Sequence, residues 1–161
     1  MTLVLYRIDD RLIHGQVVVG WGQPLDIGFI VLVDDTVAAE EWEQELYRMG
    51  VPPEMDVYFH SADDAIKHLA EYRSDPRAGI LLTGDIATMR RLVDAKGITA
   101  VNVGGIHSAA GRVQRLRYVF LTPGEEGELR DLATHGVSVT AQDVPGARPV
   151  SLDDLLAGSE L

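Results

Sequence analysis

The chain alternates short apolar segments with stretches in which apolar residues recur every three or four positions. Leu3 to Ile8 predicts a first strand, and IGFIVLVDD, from Ile27 to Asp35, predicts a second. The second is apolar on consecutive residues, the pattern of a parallel strand covered on both faces. Between them a short helix is expected from about Gly15 to Trp21, stopped by Gly22 and Pro24. Beyond the second strand, Ala38, Trp42, Leu46 and Met49 predict a helix over about 37–49 with that stripe turned to the core and Gly50 as its stop. Both tryptophans, Trp21 and Trp42, are expected in the core.

The alternation continues to the C-terminus. DVYFH, GILLTG and AVNV predict strands three to five. The helices between them are marked by Ala62, Ile66 and Leu69, with Ser61 as N-cap, and by Ile86, Met89, Leu92 and Val93. HSAAGR reads as a loop and LRYVFL as a sixth strand. A helix over about 125–134, a strand VSVTAQ and a short acidic helix SLDDLL follow. No long linker and no repeat interrupts this order. One domain over residues 1–161 is therefore expected, of α/β class: a three-layer αβα sandwich around an open, mostly parallel β-sheet.

Bulk composition narrows the function classes. No apolar run approaches the ~20 residues needed to cross a bilayer, and MTLVLYRIDD lacks the basic start of a signal peptide. The absence of cysteine excludes disulfides and thiolate metal sites and fits a reducing cytoplasm. Against 14 Lys and Arg stand 25 Asp and Glu, a net charge of -11, which repels a phosphate backbone and makes nucleic acid a poor partner. Arg112, Arg115 and Arg117 nevertheless cluster, so a local anion site is compatible with the acidic total.

The chemistry concentrates in RIDDRLIHGQV, residues 7–17. In open α/β sheets ligands bind outside the carboxyl ends of the strands, and this is the loop leaving strand one. A helix opening directly after His14 sets unpaired backbone N–H groups, including those of Gly15 and Gln16, beside the imidazole. Gly15 leaves room for an incoming phosphoryl group, and Arg11 reaches its oxygens with a charge-assisted fork. Asp9 or Asp10 accepts from one ring nitrogen, fixing the tautomer and leaving the other nitrogen free to attack. A nucleophilic histidine among such donors suits phosphoryl transfer, which depends on positioning and charge stabilisation. A capping or surface histidine is the ordinary alternative.

Other elements converge on the same edge. Gly104 and Gly105 end strand five and offer backbone N–H groups to an anion, although a plain turn explains them equally. No Gly-Lys-Ser/Thr follows, so this is no P-loop. Arg112 is a candidate for phosphate or a negative partner, and His107 for a second acid or phosphate donor. Asp34 and Asp35 end strand two, where they can hold the first loop or Arg11; as a metal pair they lack further ligands. His60, His68 and His135 fall where structural roles are the default. A receiver switch phosphorylated on aspartate would need lysine at the end of strand five, where this chain has two glycines.

RIDDRLIHGQV with Trp21 beyond it, VDD at 33–35, VNVGG at 101–105 and the pair Gly111-Arg112 together make the sequence recognisable. It resembles the IIB components of the mannose/fructose/sorbose family of the bacterial sugar phosphotransferase system (PTS). The resemblance covers nearly the whole chain. It implies that His14 takes a phosphoryl group from a phosphohistidine of a IIA protein or domain and passes it to a sugar delivered by a membrane IIC/IID permease. It also implies attachment at Nδ1, Arg11 as the phosphate-steering arginine, no metal or organic cofactor, and a cytoplasmic chain peripherally associated with the permease. The chain leaves no room for a fused IIA domain, so the donor is expected on a separate chain. Homodimerisation is compatible with this reading. The alternative is a IIB-like regulatory phosphocarrier that controls a protein partner without sugar transport.

Overall fold

The computed structural model describes residues 3–157. Its sheet is built from β1 (Leu3–Ile8), β2 (Ile27–Val33), β3 (Asp56–His60), β4 (Ala78–Thr83), β5 (Ala100–Val103), β8 (Ser138–Ala141) and β9 (Val150–Ser151). They lie in the order β3-β2-β4-β1-β5-β8-β9, every pairing parallel except the last. The expected strands one to five are all present.

Helices α3 (Ala62–Ser74), α4 (Ile86–Lys96), α5 (Pro123–Thr134) and α6 (Leu152–Ala157) cover one face of the sheet. Their starts are written in the sequence: Ser61 caps α3, Asp85 caps α4, and Thr122 with Glu125 forms a capping box before α5. Leu69, Met89, Leu92, Leu129 and Leu155 are buried without residue against Phe29, Val31 and Leu81 of the strands. The other face is covered by the loop after β1, by a π-helical segment (Gln16–Trp21) and by α1 (Asp35–Ala38). Three layers result. Among the described residues no helix is long and apolar enough to cross a membrane.

Four local expectations need correction. The short helix falls where the pattern put it but is wound with a π bond, Gly22 N to Val17 O, which sets Val17, Val18 and Trp21 inward together. The helix expected over 37–49 is two helices. Asp34 caps α1 by accepting from Val37 N, which ends β2 at Val33, and the chain then extends at Glu40 before α2 (Glu41–Met49). Gln44 donates to the carbonyls of Val37 and Ala38, satisfying the end of α1. Moreover α2 buries no residue: Trp42, Leu46 and Met49 are exposed, so Trp42 is not core, whereas Trp21 is. Finally, LRYVFL is not one strand. It turns at Arg117 and Tyr118, so that β6 (Val113–Leu116) and β7 (Val119–Leu121) form an antiparallel hairpin outside the main sheet, and β9 is an edge strand the pattern did not announce.

Candidate functional site

The loop after β1 and the loop after β5 meet at the carboxyl edge of the sheet. From β1 the chain crosses to β2 on one side, and from β5 it crosses to β8 on the other. The two loops therefore part at a topological switch point, where open α/β sheets form their ligand crevice. Asp10 N donates to Gly105 O at 2.8 Å and Gly104 N to Ile8 O at 2.7 Å, which stitches the loops together.

His14 stands in this crevice with its two ring nitrogens in different surroundings. Nε2 lies 3.2 Å from Asp9 Oδ2, off the line of a well-aligned hydrogen bond, and is shut away from solvent. Nδ1 accepts from the backbone N–H of Gln16 at 3.3 Å. A carboxylate at one nitrogen and an N–H donor at the other select the tautomer: the proton resides on Nε2 and the lone pair on Nδ1. The side chain is 17% exposed, enough to leave the ring an open edge.

Asp9 is completely buried and serves three neighbours. Besides His14 it meets Arg7 NH2 at 3.3 Å, and its Oδ1 accepts from Arg11 N at 3.2 Å with Arg11 Nε at 3.6 Å. Burial pushes its carboxyl upward, but the His14 ring, the charge of Arg7 and the Arg11 N–H together outweigh burial and hold it below the ordinary value.

Arg7, also fully buried, underlies the loop. Its guanidinium bonds Asn102 Oδ1 and donates to the carbonyls of Gln142 at 2.9 Å and Asp143 at 3.1 Å, while Trp21 lies beneath it at 4.8 Å. Trp21 Nε1 donates to that same Asp143 carbonyl. Only Nε of the guanidinium lacks a partner. Gly104 makes this possible, since a Cβ there would stand 2.3 Å from Arg7 NH2. The glycine expected to offer its amide to an anion thus gives that amide to Ile8 and gives its open side to Arg7.

The first loop closes over this base. Leu12 N bonds Asp9 O in a tight turn, and Leu12 itself is held at φ 60, a conformation that costs a residue with a side chain ~1 kcal/mol or more. Its buried side chain repays the strain by joining the core beneath. Gly15 opens the helical segment with no atom within 4 Å of where a Cβ would sit, and Gln16 Oε1 accepts from Arg11 NH2 at 2.6 Å. Arg11, 43% exposed, therefore spans the crevice mouth from Asp9 to Gln16.

The profile of the PTS system sorbose subfamily IIB component matches residues 3–161. The chain belongs to that family. It is 32% identical to the N-acetylgalactosamine-specific phosphotransferase enzyme IIB component 1 of Escherichia coli K12, over 95% of this chain and 98% of that protein. It is likewise 32% identical to the sorbose-specific EIIB component of Klebsiella pneumoniae, over 96% of this chain and 94% of that one. The solved IIBSor domain of the Klebsiella pneumoniae sorbose permease superposes with a TM-score of 0.88 at 27% identity, covering 100% of this chain and 99% of that domain. As a IIB component the chain has a phosphotransfer role in a sugar PTS.

Within this IIB component the remaining expected residues part company. Asp10 does not face His14; its carboxylate holds His107, accepting from the backbone N at 2.7 Å and pairing with Nδ1 at 2.5 Å. Asp9 and Asp10 both follow the end of β1: Asp9 is fully buried beside Arg7, whereas Asp10 stands in the turn and is only part-buried. Arg112, expected at phosphate, forms a fork on Glu125 at 3.1 and 2.9 Å and donates to His107 O. Asp34 and Asp35 neither hold the first loop nor reach Arg11: Asp34 caps α1 and Asp35 accepts from Ala62 N. Beside the crevice lies a cleft of about 250 Å³ whose lining includes Arg11, Gln16, His107, Tyr118 and Asp143. The sequence reading missed Arg7, Asn102, Gln142 and Asp143.

Proposed function

We propose that this IIB component carries its phosphoryl group on Nδ1 of His14, taken from a phosphohistidine of a IIA protein or domain and passed to a sugar held by a membrane IIC/IID permease. The observation that supports this is the pair of contacts on the ring, a buried carboxylate at Nε2 and a backbone donor at Nδ1. In transfer the Nδ1 lone pair forms the new N–P bond while the donor's N–P bond breaks, its electron pair returning to the donor imidazole. No proton must leave His14, because Nδ1 bears none. The positive charge that the ring gains is shared with Nε2–H and met by Asp9, and the Gln16 N–H, released from Nδ1, turns to a phosphoryl oxygen with Arg11. In the second step a sugar hydroxyl oxygen forms its bond to phosphorus, its proton passes to a base, and Nδ1 recovers its lone pair.

This role places the chain in the cytoplasm at the inner face of the permease, acting as one domain over 1–161. Relatives named for N-acetylgalactosamine, sorbose and mannose are each 32% identical to it, in keeping with a sugar choice made in the permease. Incubation with a phosphorylated IIA should add one acid-labile, base-stable phosphate. His14→Ala and His14→Gln should abolish it; label that persists in either variant refutes the assignment.

A further inference from the structure

We propose that the apolar face of α2 is the surface on which this IIB component docks against the basic cytoplasmic loops of its membrane permease. The proposal rests on the reading of His14 as the phosphoryl carrier. Trp42, Leu46 and Met49, spaced to share one side of α2, are 61%, 58% and 81% exposed. Single exposed apolar side chains are ordinary, but here they are contiguous, and an exposed tryptophan is the residue type most enriched at interface centres. Trp42, Leu46 and Tyr47 form with Ile13 a groove of about 380 Å³. Ile13 directly precedes His14, so a protein seated in the groove lies against the loop that carries the imidazole.

Charge selects the occupant. Glu40, Glu41, Glu43 and Glu45 accompany the stripe, with Arg48 the one basic residue of α2. A second copy placed face to face would oppose these carboxylates with their own kind, and anionic lipid would be repelled in the same way. A phosphorylated donor also arrives carrying negative charge, which suits Arg11 better than this rim. Cytoplasmic loops of membrane proteins, by contrast, carry an excess of Lys and Arg. A basic, partly apolar loop complements both features of α2 at once.

The test uses Trp42→Glu and Leu46→Glu, singly and together, in the full chain. Both residues are exposed, so the variants should unfold at the wild-type midpoint. Labelling by the phosphorylated IIA donor should remain within about twofold of wild type, whereas co-sedimentation with inverted vesicles carrying the cognate permease should weaken by about tenfold or more, as for loss of an interface anchor. Transfer of label to the sugar at limiting permease should fall in parallel. Glu41→Lys with Glu45→Lys should weaken the same co-sedimentation and flatten its salt dependence. Unchanged vesicle binding in every variant overturns the proposal. So does a loss confined to donor labelling, which assigns the face to the donor, or a wild-type dimer that Leu46→Glu dissociates. Equal binding to vesicles of the same lipids without permease overturns it as well. Failure of the underlying reading shows separately, as wild type that takes no label, and co-sedimentation still tests the surface in that event.

Discussion

The carboxylate of Asp9 lies 3.2 Å from Nε2 of His14 in a place that water does not reach. An ionic contact at such a site is worth more than one at the surface, and it acts on the ring at the moment Nδ1 gains its phosphoryl group. Asp9→Asn keeps the shape and removes the charge. The rate of phosphoryl acceptance should fall by about 10- to 100-fold, the equivalent of ~1.5–3 kcal/mol for a charge-assisted contact. Arg7 would at the same time lose its only buried anion, so unfolding should become easier by ~3 kcal/mol. Single-turnover labelling and urea denaturation measure the two effects independently. A variant that labels at the wild-type rate would show that the carboxylate is structural only.

Asp10→Asn is the matched control. Its partner is the half-open His107 pair, not the nucleophile, so the labelling rate should change by less than about threefold and stability by less than ~1 kcal/mol. If Asp10→Asn slowed labelling as much as Asp9→Asn, the pairing of Asp9 with His14 would not be what activates the ring.

Two glycines of the site should respond in opposite ways to alanine. Gly15 has a helical conformation, φ -52 and ψ -40, and open space around it, so Gly15→Ala should leave stability unchanged or raise it by ~0.5 kcal/mol. Because the added methyl stands where the phosphoryl group approaches, labelling should nevertheless slow. Gly104→Ala drives a methyl into the guanidinium of Arg7 and should destabilise the fold by ~1–3 kcal/mol. Thermal unfolding of both variants alongside labelling rates separates the predictions. A destabilised Gly15→Ala, or a fully stable Gly104→Ala, would contradict them.

How far the sequence discloses this site follows from which interactions are local. Strands one to five, the cap at Ser61 and the placing of His14 in the loop after β1 are set by neighbouring residues, and they are where the pattern puts them. The choice between Asp9 and Asp10 was not decided locally, because both follow the end of β1 and only the folded arrangement sets Asp9 beneath the loop with Arg7 and turns Asp10 to His107. Arg7 and Asn102 carried a signal that went unused: each is a polar residue flanked by apolar ones within an expected strand, and such a residue, once buried, must find a partner. That the partners lie at Gln142 and Asp143, far along the chain, only the folded arrangement shows. The fork of Arg112 on Glu125 is of the same kind. The stripe on α2 misled for a different reason, because periodicity marks an apolar face and is silent on whether this chain or another molecule covers it.

Acid should expose the charge network as a slope. Asp9 and Glu125 both titrate below their ordinary values in the folded protein, burial being outweighed at Asp9 by His14 and Arg7 and at Glu125 by Arg112 and the amide of Thr122. The unfolded chain therefore binds protons at these carboxyls before the folded chain does. Their contribution to stability is complete above the ordinary carboxylate range and is lost as pH falls through the depressed folded values, so the urea midpoint should drop steeply below about pH 4. Asp9→Asn and Glu125→Gln each remove one group that titrates differently in the two states. Each variant should be weaker at neutral pH yet lose less on acidification, and its curve should converge on wild type once the pH has fallen through the depressed folded-state values. Curves that stay parallel over the whole acid range would mean that neither carboxylate is held ionised by the partners the fold gives it.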